Sequence, residues 1–234
     1  MKLEEPISAL RRVPILDNGE PLVQFLENAP ALYWVPQHPV FAYERFRLAR
    51  QGVAERLAAA AAALPSGLRL GVVEAYRAPA IQQAMYEATL RRTREAHPDW
   101  RQSHITRAVN RFSARPDPRV PPPHTTGGAV DVHLVTAAGE PIDTVSPYDP
   151  FDPRAARTAV AGLSPTAQQN RRLLCRVMEG AGFTNYAMEW WHWSYGDPGW
   201  AYRGGHPRAV YGAIEPDGLA DADLEFRVHE TPGF

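Results

Sequence analysis

The sequence carries a single cysteine, Cys175, and a single lysine, Lys2, among 234 residues. One cysteine excludes an intramolecular disulfide and any cysteine-rich zinc site. Set in a helical pattern, Cys175 reads as a small buried hydrophobe rather than a nucleophile. No apolar stretch approaches the roughly 18 residues that a membrane-spanning helix needs. The opening Met1-Lys2-Leu3-Glu4-Glu5-Pro6 has no apolar core of the signal-peptide kind. These absences predict a soluble, cytoplasmic protein with no membrane partner. Excess charge is missing as well. A net charge of −1 gives no electrostatic footprint for nucleic acid, and Arg91-Arg92-Thr93-Arg94 reads as a solvated helix face.

What is present is a globular composition, 44% hydrophobic and 22% charged, enough for one substantial core. Residues 1–43 are broken by prolines and read as an irregular arm with a strand or two, part of the same domain as residues 44–234. Phe46, Ala49, Val53, Leu57, Ala60 and Leu64 recur at three- and four-residue steps, predicting a helix over Tyr43–Leu64. Pro65-Ser66-Gly67 stops it, and Leu68 to Tyr76 then reads as a strand. A helix follows over Ala80–Glu95, then a long polar connection over 96–123 with a short helical piece near Ile105–Phe112. Gly128–Thr136 is the next strand. Ser164-Pro165 starts a helix that ends at Gly180 or Gly182. Phe183–Tyr195 is aromatic and strand-like, and the remainder reads as short strands and turns. The pattern is a mixed α+β single domain, with helices against a mostly antiparallel sheet.

Two segments stand apart from ordinary core sequence. They are Pro123-His124-Thr125-Thr126-Gly127-Gly128-Ala129-Val130-Asp131-Val132-His133 and Glu189-Trp190-Trp191-His192. Asp131 alternates with valines, so it points to the face opposite theirs. Gly127-Gly128 permits a tight turn that could bring His124 back beside it. A catalytic zinc takes three ligands of the His or carboxylate type and keeps one position open. His124, Asp131 and His192 supply that count, and Glu189 is placed to take a proton from water. Residues 189 and 192 are an odd number apart, so both reach one metal only if the segment bends. His133 shares a strand face with Asp131. Spacing alone leaves the choice between His124 and His133 open. The same ligand types also describe a non-haem iron oxygenase, although Asp131-Val132-His133 reverses the usual His-x-Asp order and that reading leaves Glu189 idle.

These segments resemble the zinc metallopeptidase family of D-alanyl-D-alanine dipeptidases (vancomycin-resistance type) and D,D-carboxypeptidases. The first family pattern, Ser-x-His-x-x-Gly-x-Ala-x-Asp, is met by Pro122 through Asp131, with Pro122 in place of the Ser. The second, Glu-x-x-His, is met by Glu189-Trp190-Trp191-His192. Tyr76-Arg77 followed by the Gln82-Gln83 helix resembles a third. The resemblance, nearest to the dipeptidase branch, implies one Zn2+ per chain on His124, Asp131 and His192, with Glu189 as general base. It implies Arg77 as the oxyanion-stabilising cation, and it places Tyr76 and Trp191 among the substrate-binding residues. Asp152, in Pro150-Phe151-Asp152, would receive the substrate's amino group, with Asp149 as its competitor. The implied partner is a short D-amino-acid peptide, most closely D-Ala-D-Ala, with a D,D-carboxypeptidase or another peptidoglycan peptidase as the alternative.

Overall fold

The structure, a computed structural model, describes residues 5–27, 29–38, 41, 43–110, 113–149 and 152–216. Its elements in chain order are α1 (Ile7–Leu10), β1 (Leu22–Gln24), β2 (Leu32–Trp34), β3 (Leu48–Arg50), α2 (Gln51–Ala62), β4 (Leu68–Glu74), α3 (Pro79–Ala96) and α4 (Gln102–Val109). They continue with β5 (Ala129–Thr136), α5 (Pro165–Gly180), β6 (Thr184–Asn185), β7 (His192–Ser194) and α6 (Pro198–Gly204).

A five-stranded sheet runs in the order β2-β4-β5-β7-β6, and β1 pairs with β3 in a separate two-stranded ribbon. Every neighbour in the main sheet is antiparallel except β2 with β4. Val130, Val132 and Leu134 of β5 turn to one face, where Val53, Leu57, Leu174 and Met178 from α2 and α5 close the core over them. That face is the apolar half of the alternation read in the sequence. Asp131 and His133 are left on the opposite face.

The arm is stapled to the body by Arg50. Its guanidinium is 1% exposed and donates to the carbonyls of Thr126 and Glu20 and to the Asp17 carboxylate. Glu20 in turn accepts from the Gly52 N–H and the Tyr211 hydroxyl. A buried cation held by several acceptors joins segments that carry few apolar residues of their own.

Three expectations are corrected. The predicted Tyr43–Leu64 helix begins only at Gln51, because Leu48–Arg50 pairs with β1 and Arg50 is extended at φ −56°, ψ 146°. Phe183–Tyr195 is not one strand: β6 and β7 are separated by two turns. Beyond it lies a helix, α6, capped by Asp197, whose side chain accepts from the Trp200 N–H. Asp197-Pro198 is a cap followed by proline at the first helical position, a start signal visible in the sequence. The strands expected over 217–234 and the end of the helical piece at Phe112 lie outside the described residues. No described helix is long and apolar enough to cross a membrane.

Candidate active site

Strand parity builds the site. Asp131 and His192 are direct partners across β5 and β7, while the next pair along is Val130 with Trp193. Side chains directly opposite in an antiparallel pair share a face. Trp193, fully buried, therefore joins Val130 in the core, and Asp131 and His192 emerge together on the other side. Oδ1 of Asp131 lies 2.9 Å from Nδ1 of His192.

His124 reaches the same carboxylate from a short 3-10 turn over Pro123–Thr126. Gly127 ends that turn in the left-handed region, at φ 68°, and a Cβ there would come within 2.6 Å of the Leu22 side chain. Nε2 of His124 lies 3.5 Å from Asp131 Oδ1. Its other ring nitrogen, Nδ1, is 2.7 Å from the Ala75 carbonyl. An Nδ1–H donated there leaves the Nε2 lone pair turned towards Asp131. The ligand atoms of His124, Asp131 and His192 all lie within 4.8 Å of one another.

The bend required at Glu189 is present. Glu189 sits at a corner where its N–H donates to Tyr186 and its carbonyl accepts from His192. The Asn185 side chain fastens this corner, donating to the carbonyls of Glu189 and His192 at 3.1 and 3.0 Å. Asn185 went unremarked in the sequence, where an Asn before a turn is common and signals no particular role.

Electrostatics separate the carboxylates. Burial alone would raise the Asp131 carboxyl, but the two histidines outweigh it and hold it far below the usual carboxylate range. Burial likewise works against a charge on His124, and Asp131 overcomes it and raises that imidazole. Burial pushes the Glu189 carboxyl up, and the cations nearby only partly offset this. A carboxylate of raised pKa beside candidate metal ligands suits proton transfer.

Arg77 lines the same cleft. Its guanidinium pairs with both oxygens of Glu74, and it also donates to the Tyr43 hydroxyl at 2.9 Å and to Gln82 Oε1 at 2.6 Å. Burial opposes the charge, but Glu74 more than compensates and holds Arg77 above its ordinary range. Glu74, 2% exposed, escaped the sequence reading because strand alternation sends it to the core. A register shift between Val72 and Glu74 brings it opposite Asp131 instead.

The cleft encloses about 560 Å³, and Trp191 and Pro122 form part of its wall. A larger depression of about 780 Å³ is lined by residues such as Thr158, Arg171 and Cys175. It holds no cluster of potential metal ligands among the described residues. Burial pushes the Cys175 thiol up to about 11, as befits an inert side chain.

Two expected site residues, Tyr76 and Asp152, lie elsewhere, and so does His133, the competing ligand left open by spacing. Tyr76 is beneath the site rather than in it, 1% exposed with its hydroxyl donating to the Ile214 carbonyl. Asp152 does not line the cleft; it caps a short 3-10 turn through the Arg154 N–H and pairs with the Arg154 guanidinium. His133 is packed against Gly71 with Nε2 buried and unbonded among the described residues, and burial drives its pKa down to about 4. It stays outside the grouping of potential metal ligands, which contains His124 instead.

The sequence matches the family model described as D-ala-D-ala dipeptidase over residues 40–209, a span that contains all five residues of the site. A D-alanyl-D-alanine dipeptidase of Synechocystis sp. is 32% identical over 248 aligned residues, covering 92% of this chain and 100% of the relative. One of Enterococcus faecalis is 40% identical over 73 residues, covering 30% of this chain and 35% of that protein. Among solved structures, a variant of the vancomycin-resistance D,D-pentapeptidase VanY in complex with Zn(II) aligns at a TM-score of 0.38 and 17% identity, over 73% of this chain and 89% of that one.

Proposed function

The chain belongs to the D-Ala-D-Ala dipeptidase family, and on that premise we propose that it is a zinc-dependent dipeptidase acting on D-Ala-D-Ala. The observation that carries this reading is the convergence of His124, Asp131 and His192 with Glu189 and Arg77 in one cleft.

The donor set fits zinc. Two imidazoles and one carboxylate leave a coordination position open, and the Ala75 carbonyl fixes the tautomer of His124. Zinc held there would supply Lewis acidity, to polarise a peptide carbonyl and lower the pKa of a bound water. Glu189 takes the proton released as water adds to the carbonyl carbon and delivers it to the departing amine nitrogen. Burial raises its pKa, which makes it a stronger proton acceptor than an ordinary exposed carboxylate. Arg77 presents a fixed positive charge to the oxygen on which negative charge develops. Among the described residues three of its five N–H groups are engaged, by Glu74, Tyr43 and Gln82, and the other two are offered to substrate. Trp191 walls the cleft and helps exclude water.

An iron oxygenase would use the same ligand types. The family match opposes it, and it gives no task to Glu189. A panel of D-Ala-D-Ala and L-Ala-L-Ala, with zinc supplied, tests the proposal. Release of free D-Ala from the first and no cleavage of the second is the expected result, and equal cleavage of both would contradict it.

A further inference from the structure

The two walls of the cleft are joined by the N-terminal segment. One wall is the corner Tyr186–His192 together with α6; the other is the stretch 113–123 that leads into His124. Glu5 fastens the segment to the first wall, with Oε1 2.8 Å from Arg203 Nη1 and the two side chains 11% and 7% exposed. Arg203 is itself held by Thr184, whose hydroxyl accepts from Nε at 2.9 Å. At the other end, Arg11 donates through Nε and Nη2 to the Asp117 carboxylate, at 3.3 and 2.7 Å. Ile7 and Leu10 line the cleft between these two ties.

The segment also lies close to the chemistry. Burial, then the charges of Glu189 and Glu5, push the Tyr186 phenol up, and the Tyr186 ring is centred 6.1 Å from that of His192. Glu5 lines the same cleft as Tyr186 and His192. A dipeptide has its scissile bond one residue from both ends and fits within such an enclosure. A longer peptide has to extend past the walls that the segment ties together.

We propose that Glu5–Arg11 is a specificity strap, held by the Glu5–Arg203 and Arg11–Asp117 pairs, that limits substrates to dipeptides; this rests on the dipeptidase reading above. The two ties differ in strength. The Glu5–Arg203 pair is buried, so removing one partner leaves an uncompensated charge. The Arg11 side chain is 47% exposed, and an exposed pair contributes little by itself.

The test compares kcat/KM for D-Ala-D-Ala with that for N-acetyl-D-Ala-D-Ala and for the tripeptide D-Ala-D-Ala-D-Ala. It uses the full-length zinc-loaded chain and the variants Glu5→Gln, Arg11→Ala and the two combined. The ratio of long to short substrate is expected to rise at least tenfold in the double variant, with Glu5→Gln contributing the larger share. A ratio does not depend on how much of each preparation is folded, and Arg11→Ala leaves the buried pair intact. Ratios within twofold of wild type in all three variants would overturn the proposal, as would a wild type that cleaves the tripeptide as fast as the dipeptide. A wild type that cleaves none of the three would overturn the dipeptidase reading beneath it.

Discussion

Asp131 and His192, 61 positions apart in sequence, face each other across β5 and β7 with Oδ1 and Nδ1 2.9 Å apart. The pairing register that sets this distance also sends Val130 and Trp193 into the core. A one-residue slip would exchange the two sets, burying the ligands and exposing the apolar pair. The same burial that stabilises the sheet therefore fixes the metal site.

The first prediction separates the histidines. His124→Ala removes a ligand, and zinc content measured by atomic absorption should fall well below one per chain. His133→Ala should keep one zinc per chain, since His133 lies outside the ligand grouping. Loss of zinc in the His133 variant with retention in the His124 variant would reverse the assignment.

Glu189→Gln keeps the shape of the corner and removes the base. Zinc content should be unchanged while kcat falls about 10²- to 10⁴-fold, the range general-base catalysis contributes. Turnover within tenfold of wild type would remove Glu189 from the mechanism.

Glu74 acts through Arg77 and is a positioning residue. Arg77→Lys loses the planar fork, and kcat should drop about 10²- to 10³-fold with KM little changed, as for loss of an oxyanion donor. Glu74→Gln should lower kcat in the same sense but less, because Gln82 and Tyr43 still hold the guanidinium. An effect of Glu74→Gln on KM alone would argue against this role.

The staple at Arg50 gives a pH dependence of stability. Burial alone would raise Asp17, but the N–H groups of Gly19 and Gly212 and the Arg50 charge outweigh it, and its folded pKa lies below the ordinary 3.8. Glu20 is likewise held below 4.5, where burial is outweighed by the Tyr211 hydroxyl and the Gly52 N–H. A carboxylate depressed in the folded state contributes stability above its unfolded pKa and loses it as pH falls through the folded value. Asp17→Asn should therefore cost about 1–2 kcal/mol at pH 7, less than a fully buried pair because the Asp17 side chain is 35% exposed. Between about pH 5 and 3 the deficit should shrink. Denaturant unfolding across that range measures it, and a deficit independent of pH would contradict the linkage.

Much of the site was legible in the sequence because it depends on local rules. Alternation put Asp131 opposite its valines, Gly127 announced the turn that returns His124, and the odd spacing of Glu189 and His192 demanded a bend. What escaped depends on pairing. A register shift in β4 puts Glu74 on the site face, and no periodicity reports a shift of that kind. Asn185 matters for the carbonyls it binds, which become neighbours only when β6 meets β7. The helical pattern from Phe46 continues through Arg50 in sequence, yet pairing with β1 overrides it. Tyr76 shows the opposite error. Adjacent to Arg77, it turns inward to Ile214, so neighbours in a motif need not share a surface.

Zinc-dependent cleavage of D-Ala-D-Ala at the His124, Asp131 and His192 site can be followed through its product. The most direct measurement follows free D-Ala released from the dipeptide by the zinc-loaded protein, then after chelation, then after zinc is restored. The predicted result is two D-Ala per dipeptide consumed, abolished by the chelator and recovered with one zinc per chain. Turnover that survives complete removal of the metal, or no D-Ala release from the fully loaded protein, would rule out a zinc dipeptidase.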